Sequence, residues 1–193
     1  MTNQQVTDIL KEAGVILEGH FLLTSGRHSD KYLQCAKIFL NNKYSEPLCM
    51  ELAKAYSSTK IDVVIGPALG AVLMAYEMGR CLGVPNLFTE RADGKMCLRR
   101  GFELKPGEKV LVVEDVVTTG GSVREVIEIV KASGAEVVGV GAIVDRTGGE
   151  MDFGTDFKSV ISMKVESYAP ESCPICKQTG SEPVKPGSRA TIK

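Results

Sequence analysis

The chain has 193 residues, a formal net charge of −1 and 44% hydrophobic residues, which makes one domain with a sizeable core the default. Its 23 basic and 24 acidic side chains are interspersed, so it lacks the electrostatic footprint of a nucleic-acid or anionic-membrane binder. No apolar run approaches the roughly 20 residues of a membrane span, and Met1-Thr2-Asn3-Gln4-Gln5 has no leader pattern, so a cytoplasmic protein with reduced thiols is expected.

Val6, Ile9, Leu10 and Ala13 repeat at helical spacing until Gly14 stops them, predicting a short helix. From Gly19 to Tyr32 a polar turn, Thr24-Ser25-Gly26-Arg27, follows an apolar run. Composition favours a surface β-hairpin there, and the turn can also offer backbone amides to a small ligand. His20 and His28, the only histidines, show no metal-ligand or triad spacing and are expected on the polar surface.

Ser45 to Tyr56 predicts a helix with Pro47 in its first turn, and Ile61 to Ile65 a buried strand. Gly66-Pro67-Ala68-Leu69-Gly70-Ala71 then leads into a helix from about Ala71 to Leu82, a type of turn that can present amides to an anion. After a strand ending near Phe88, the run Thr89 to Gly101 carries Arg91, Lys95, Arg99 and Arg100 without a clean period. It is expected as a mobile loop, either plain solvated surface or a charged lid.

The richest stretch runs from Val110 to Ala132. Val110 to Val113 has no polar alternation, so it predicts a strand buried on both faces, ended by Glu114 and Asp115. Thr118, Thr119, Gly120, Gly121 and Ser122 form a small turn, and Val123, Val126, Ile127 and Val130 then repeat at helical spacing. The first amides of a helix lack intrahelical partners and carry partial positive charge, so this turn suits a phosphate. The two carboxylates suit sugar hydroxyls or a metal ion instead. Neither G-x-x-x-x-G-K-[ST] nor G-x-G-x-x-G is present; Gly139-Val140-Gly141 lacks the third glycine and belongs to a strand from Glu136 to Val144. Arg146 follows it, either in a structural ion pair or facing the ligand crevice, where a guanidinium can grip a carboxylate bidentately.

From Pro170 onward the chain is predicted to be irregular. Cys173-Pro-Ile-Cys176 supplies two thiolates where structural zinc needs four ligands, with no histidine close in sequence. A tight turn is expected, unless a second copy supplies the other pair. No protein-bound metal is assigned.

Val112 to Ser122 resembles the phosphoribosyl pyrophosphate (PRPP) signature of the type I phosphoribosyltransferases, and Leu23-Thr24-Ser25-Gly26-Arg27-x-Ser29 is similar to the N-terminal segment of the orotate phosphoribosyltransferases. The resemblance implies an α/β fold with a central parallel sheet flanked by helices. It also implies one domain over 1–193, with a small hood in about 1–40 and an irregular tail from about 170 to 193. It implies PRPP contacts from Arg91, Lys95, Glu114, Asp115, Val116, Val117, Thr118, Thr119, Gly120, Gly121 and Ser122. Orotate contacts would come from Ser25, Gly26, Tyr32, Thr118 and Arg146, and the catalytic groups would be Lys95, Arg91 and Asp115. Mg²⁺ bound mainly through PRPP is implied, with a homodimer whose loop crosses into the neighbouring site. Two other readings remain: another base phosphoribosyltransferase, or a PRPP-sensing nucleic-acid-binding regulator.

Overall fold

The computed structural model describes residues 1–23 and 25–186; Thr24 and the end of the tail, 187–193, lie outside the described residues. In chain order the elements are α1 (Asn3–Glu12), β1 (Ile16–Leu22), β2 (His28–Leu33), α2 (Asn42–Ala55), β3 (Val63–Pro67), α3 (Val72–Leu82) and β4 (Asn86–Ala92). They continue with β5 (Lys95–Cys97), β6 (Lys109–Val117), α4 (Gly121–Ala132), β7 (Glu136–Asp145), β8 (Phe157–Ser162) and α5 (Pro174–Thr179).

Six strands form one sheet in the order β5-β4-β3-β6-β7-β8, parallel except for the antiparallel edge pair β4–β5. The uninterrupted apolar run of β6 is explained by burial on both faces. Leu111 and Val113 join one core with Leu48, Leu52, Met74 and Met78 of α2 and α3. Val110 and Val112 join the other with Val123, Val126, Ile127 and Val130 of α4. The chain moves outward from β3 through α3 to β4, and in the opposite direction from β6 through α4 to β7. The β3/β6 boundary is therefore the switch point, where a crevice opens at the carboxyl ends of the strands.

The N-terminal helix is closed by a capping box, with the Thr2 hydroxyl accepting from the Gln5 amide and the Gln5 side chain accepting from the Thr2 amide. β1 and β2 form the expected hairpin. The two glycines of Gly139-Val140-Gly141 serve packing: a Cβ at Gly139 would lie 2.6 Å from Tyr56 Cε1, and one at Gly141 3.0 Å from Leu52 Cδ2. They let α2 settle directly on β7, where the Tyr56 hydroxyl donates to the Val140 carbonyl at 2.6 Å.

Several expectations are corrected. α2 begins earlier than Ser45, because the Asn41 side chain accepts from the Lys43 amide, and this puts Pro47 in the second turn. The basic run is mostly a β-hairpin: Glu90 pairs with Cys97, Arg91 with Met96 and Ala92 with Lys95, around an Asp93-Gly94 turn with positive φ. Strand β8 was not expected, since Phe157–Ser162 sits at a half-buried edge with weak periodicity. From Pro170 onward the described residues are not irregular throughout but carry α5 and a strand-like bridge from Val184 to Phe21, and just before them Tyr168 bridges to His28. His20 and His28 are buried, not surface groups.

Overpacking a close contact of this kind costs about 1–3 kcal/mol. Gly139→Ala is expected to lower the unfolding free energy by that amount, seen in equilibrium unfolding as a lower urea midpoint at an unchanged slope; an unaltered midpoint would mean that Tyr56 gives way freely.

Candidate active site

β6 runs out at Val117, and the next residues turn directly into α4. Gly120, at φ +72°, occupies the N-cap without any side-chain cap bond. A Cβ there would meet Phe153 at 2.8 Å and Met151 at 3.1 Å, so glycine is needed for both conformation and space. The first-turn amides of α4 thus face an open hollow of about 90 Å³, lined by Glu114 and residues 116–123.

Three further hollows join it through shared residues. One of about 400 Å³ is lined by Ser25, Tyr32, Thr118, Thr119, Arg146 and Ser167, among others. Another, of about 330 Å³, holds Tyr32, Cys35, Gly70 and Asp115. The widest, about 810 Å³, runs past Gly70, Glu90, Arg91, Arg100 and Ser122. Together they make a continuous cleft over the carboxyl ends of β3 and β6. A Cβ at Gly70 would lie 3.0 Å from Asp115 Oδ1, so the 66–71 turn presses backbone against that carboxylate.

Of the residues expected to bind an acceptor base, Ser25, Tyr32, Thr118 and Arg146 share one hollow. Gly26 does not line it; at φ +78° it makes the hairpin turn, and its amide donates to the Leu23 carbonyl at 2.9 Å. Arg146 is partly buried and its Nε has no hydrogen-bond partner. Burial pulls its pKa down, with Cys35 and Tyr32 opposing weakly, the mark of a cation without a counter-charge. The position of Arg146 is fixed by its neighbour. Asp145 accepts from the Thr147 amide and hydroxyl at 2.8 and 2.7 Å, the Gly149 amide at 2.7 Å and the Ser162 hydroxyl at 2.9 Å. Burial works to raise the Asp145 pKa, but these bonds bring it below the ordinary carboxylate value.

Arg91 and Lys95 do not converge on the cleft. Arg91 makes a two-point ion pair with Glu125 of α4, at 2.6 and 3.0 Å, and donates to the Gly94 carbonyl at 2.8 Å. Lys95 is exposed on the edge strand and lines none of the four hollows. Sequence reasoning missed Ser167, Cys35 and the Asp145 clamp. Only the clamp left a signal, an Asp two residues before a Thr.

Comparison with known proteins agrees with this geometry. The strand-to-helix turn that follows two carboxylates at the switch point of the sheet lies within residues 36–173, which match the phosphoribosyl transferase domain model; the chain is a phosphoribosyltransferase. A Caldanaerobacter subterraneus protein named orotate phosphoribosyltransferase is 56% identical over 98% of this chain and 99% of its own. One of that name from a Thermoanaerobacter species is 58% identical over 98% and 99%. The Mycobacterium tuberculosis orotate phosphoribosyltransferase solved with inorganic phosphate superposes with a TM-score of 0.68 at 26% identity, covering 82% of this chain and 94% of that one. The chain belongs to the orotate phosphoribosyltransferase family.

Glu114 and Asp115 bear the cost of the site. Desolvation raises both pKa values, and for Glu114 the adjacent Asp115 carboxylate adds to the rise. An acid whose pKa is raised on folding imposes no penalty below its unfolded value, about 4.3 for Glu. The penalty grows as pH rises toward the folded value and is constant above it. Glu114→Gln is therefore expected to raise the melting temperature relative to wild type at pH 8 and hardly at all at pH 4.5. Scanning calorimetry at both pH values checks this, and equal shifts would reject the electrostatic origin.

Proposed function

We propose that this chain transfers the 5-phosphoribosyl group from PRPP to N1 of orotate, giving orotidine 5′-monophosphate and pyrophosphate, as a cytoplasmic enzyme of pyrimidine synthesis. The observation that carries the choice of acceptor is Arg146, a guanidinium in the cleft whose Nε is buried without a partner. Orotate brings a carboxylate to pair with it, whereas uracil, adenine and hypoxanthine bring none. That observation disfavours another base as substrate. The near-neutral charge of the chain speaks against a nucleic-acid-binding regulator.

In this reading the 5′-phosphate rests on the α4 N-terminus, held by amides of Val116 to Ser122 and by the hydroxyls of Thr118, Thr119 and Ser122. Glu114 and Asp115 accept from the ribose 2′- and 3′-hydroxyls. Ser25 and Tyr32 flank the base, with Gly26 shaping the turn that carries Ser25 and Thr118 reaching the base from the phosphate turn. With Glu114 and Asp115 engaged by the ribose hydroxyls, Mg²⁺ would be carried mainly on PRPP oxygens. When bound, it neutralises charge on the leaving pyrophosphate.

Orotate N1 attacks C1′ as the C1′–O bond to pyrophosphate breaks, and the sugar passes through a cation-like transition state. Catalysis comes from positioning and from cations on the leaving group. Arg91 leaves Glu125 to serve there, and Lys95 joins it from a β4–β5 hairpin that closes over the cleft, in a homodimer from the neighbouring subunit. Support for the dimer comes from large apolar side chains exposed beside the cleft: Leu69, Leu73 and Tyr76 are 88%, 55% and 60% accessible, and exposed apolar groups that cluster mark interaction surfaces.

The assay follows orotate absorbance with PRPP and Mg²⁺. Turnover with orotate and none with uracil, adenine or hypoxanthine is expected; a folded, inert dimer would sink the reading. Truncating one partner of a buried charge pair costs about 2 kcal/mol or more. Arg146→Ala should accordingly raise the orotate KM by roughly thirty-fold or more with the PRPP KM little changed. Lys95→Ala should lower kcat far more than it weakens orotate binding, and equal effects would reject its leaving-group role. Tyr76→Glu should shift sedimentation toward monomer and reduce turnover together.

A further inference from the structure

Outside the cleft, four side chains converge that the proposed reaction does not use. His20 ends toward β2 from β1, His28 starts β2, Cys173 caps α5 and Cys176 lies in its first turn. Their ligand atoms all lie within 4.8 Å of one another, and they are the one such group of three or more among the described residues. Cys176 and His28 are 148 residues apart in sequence, which is why only the Cys173-x-x-Cys176 half of the set could be read from the chain. We propose that His20, His28, Cys173 and Cys176 bind one zinc ion, which clamps the C-terminal tail onto the β1–β2 hairpin.

The separations suit a tetrahedron. With Zn–S near 2.3 Å and Zn–N near 2.0–2.1 Å, tetrahedral edges come to about 3.3 Å between nitrogens and about 3.6 Å between nitrogen and sulfur. His20 Nε2 lies 3.1 Å from His28 Nδ1 and 3.6 Å from each cysteine sulfur, and Cys176 Sγ lies 3.3 Å from His28 Nδ1. The tautomer agrees. His20 Nδ1 lies 2.9 Å from the Ser181 carbonyl, which can only accept, so that nitrogen carries the proton. Nε2 is left pointing into the cluster as the ligand atom, with a backbone carbonyl orienting the ring from behind, as zinc-bound histidines commonly have. Three neighbours crowd its one lone pair, which can accept a good hydrogen bond from only one of them; one cation serves all of them.

The donor set selects the metal. Two thiolates and two imidazoles in a closed tetrahedron favour zinc over the hard, oxygen-seeking cations. A two-iron cluster held by the same residues would need its cysteine and histidine pairs on separate irons, and a group spanning 4.8 Å leaves room for one ion. All four ligands are protein side chains and three are buried, so the ion is structural, without an open position for substrate.

Its place explains what it would hold. The tail already bonds to the hairpin on two sides: Val184 exchanges backbone bonds with His20 and Leu22, and Tyr168 with His28, all at 2.8 Å. Arg27 in the turn donates to Ser167. The clamp therefore fixes the segment that carries Ser25 and Tyr32. The effect on the base pocket rests on the proposed orotate reading; the metal claim does not.

Metal analysis of the full chain, expressed in zinc-replete medium and purified without chelator or metal-affinity tag, should find about one zinc per chain and no iron or copper. The double change Cys173→Ser and Cys176→Ser should lose it, and Cys81→Ser should keep it. Cobalt exchanged into wild type should give the intense visible bands of tetrahedral, thiolate-bound Co(II). Wild type with no transition metal, with iron or copper in place of zinc, or with zinc that survives the double change would overturn the proposal. Because stoichiometry and spectrum are read without substrate, failure of orotate turnover would leave this result standing, and the reverse.

Discussion

Everything at the site depends on how β6 ends. A strand buried on both faces has to leave the sheet at the switch point, and it does so through two carboxylates followed immediately by an uncapped helix N-terminus. This places negative side chains and positively polarised amides within a few residues of each other, a combination that suits a molecule with hydroxyls at one end and a phosphate at the other. Gly120 makes the transition possible, since its conformation and its contact with Phe153 admit no side chain. The 66–71 turn can close over Asp115 only because Gly70 lacks a side chain.

The cleft is electrostatically unfinished at both ends. Glu114 and Asp115 are desolvated together, with no basic side chain paired to either among the described residues, and Arg146 lines the cleft with its Nε unpartnered. Such groups weaken the folded state, and they persist where the surrounding structure holds them for a ligand. The surroundings here are rigid: Asp145 is held by four hydrogen bonds from residues 147, 149 and 162. The cationic hairpin is different. It lies at the sheet edge with Arg91 tied to Glu125; in the proposed reaction it gives up that surface pair, worth little by itself, to act on the leaving group.

Much of this was legible in the chain. The double burial of Val110 to Val113, the helix that follows and the glycine-rich turn between them all have local causes, and the structure has each of them. Arg146 could be placed at a crevice because a residue just after a parallel strand has few other places to face. What was not legible has non-local causes. The basic run forms a hairpin because β4 offers its edge to Lys95–Cys97, which no period within three residues could announce. The edge strand β8 shows only partial burial, and Ser167 lines the pocket because the tail returns to the hairpin. His20 and His28 meet Cys173 and Cys176 for the same reason. A spacing rule written for neighbouring ligands finds half of such a cluster.

The account's central claim is that one cleft holds a ribose phosphate and a carboxylate-bearing base, with each charge met by the group the fold left unpaired. A crystal structure with orotate, PRPP and Mg²⁺ tests it most directly. The predicted result has the orotate carboxylate bonded to the Arg146 guanidinium, the 5′-phosphate on the amides at the start of α4, and the ribose hydroxyls on Glu114 and Asp115. A carboxylate bound away from Arg146, or a phosphate bound away from the 118–122 turn, would contradict it.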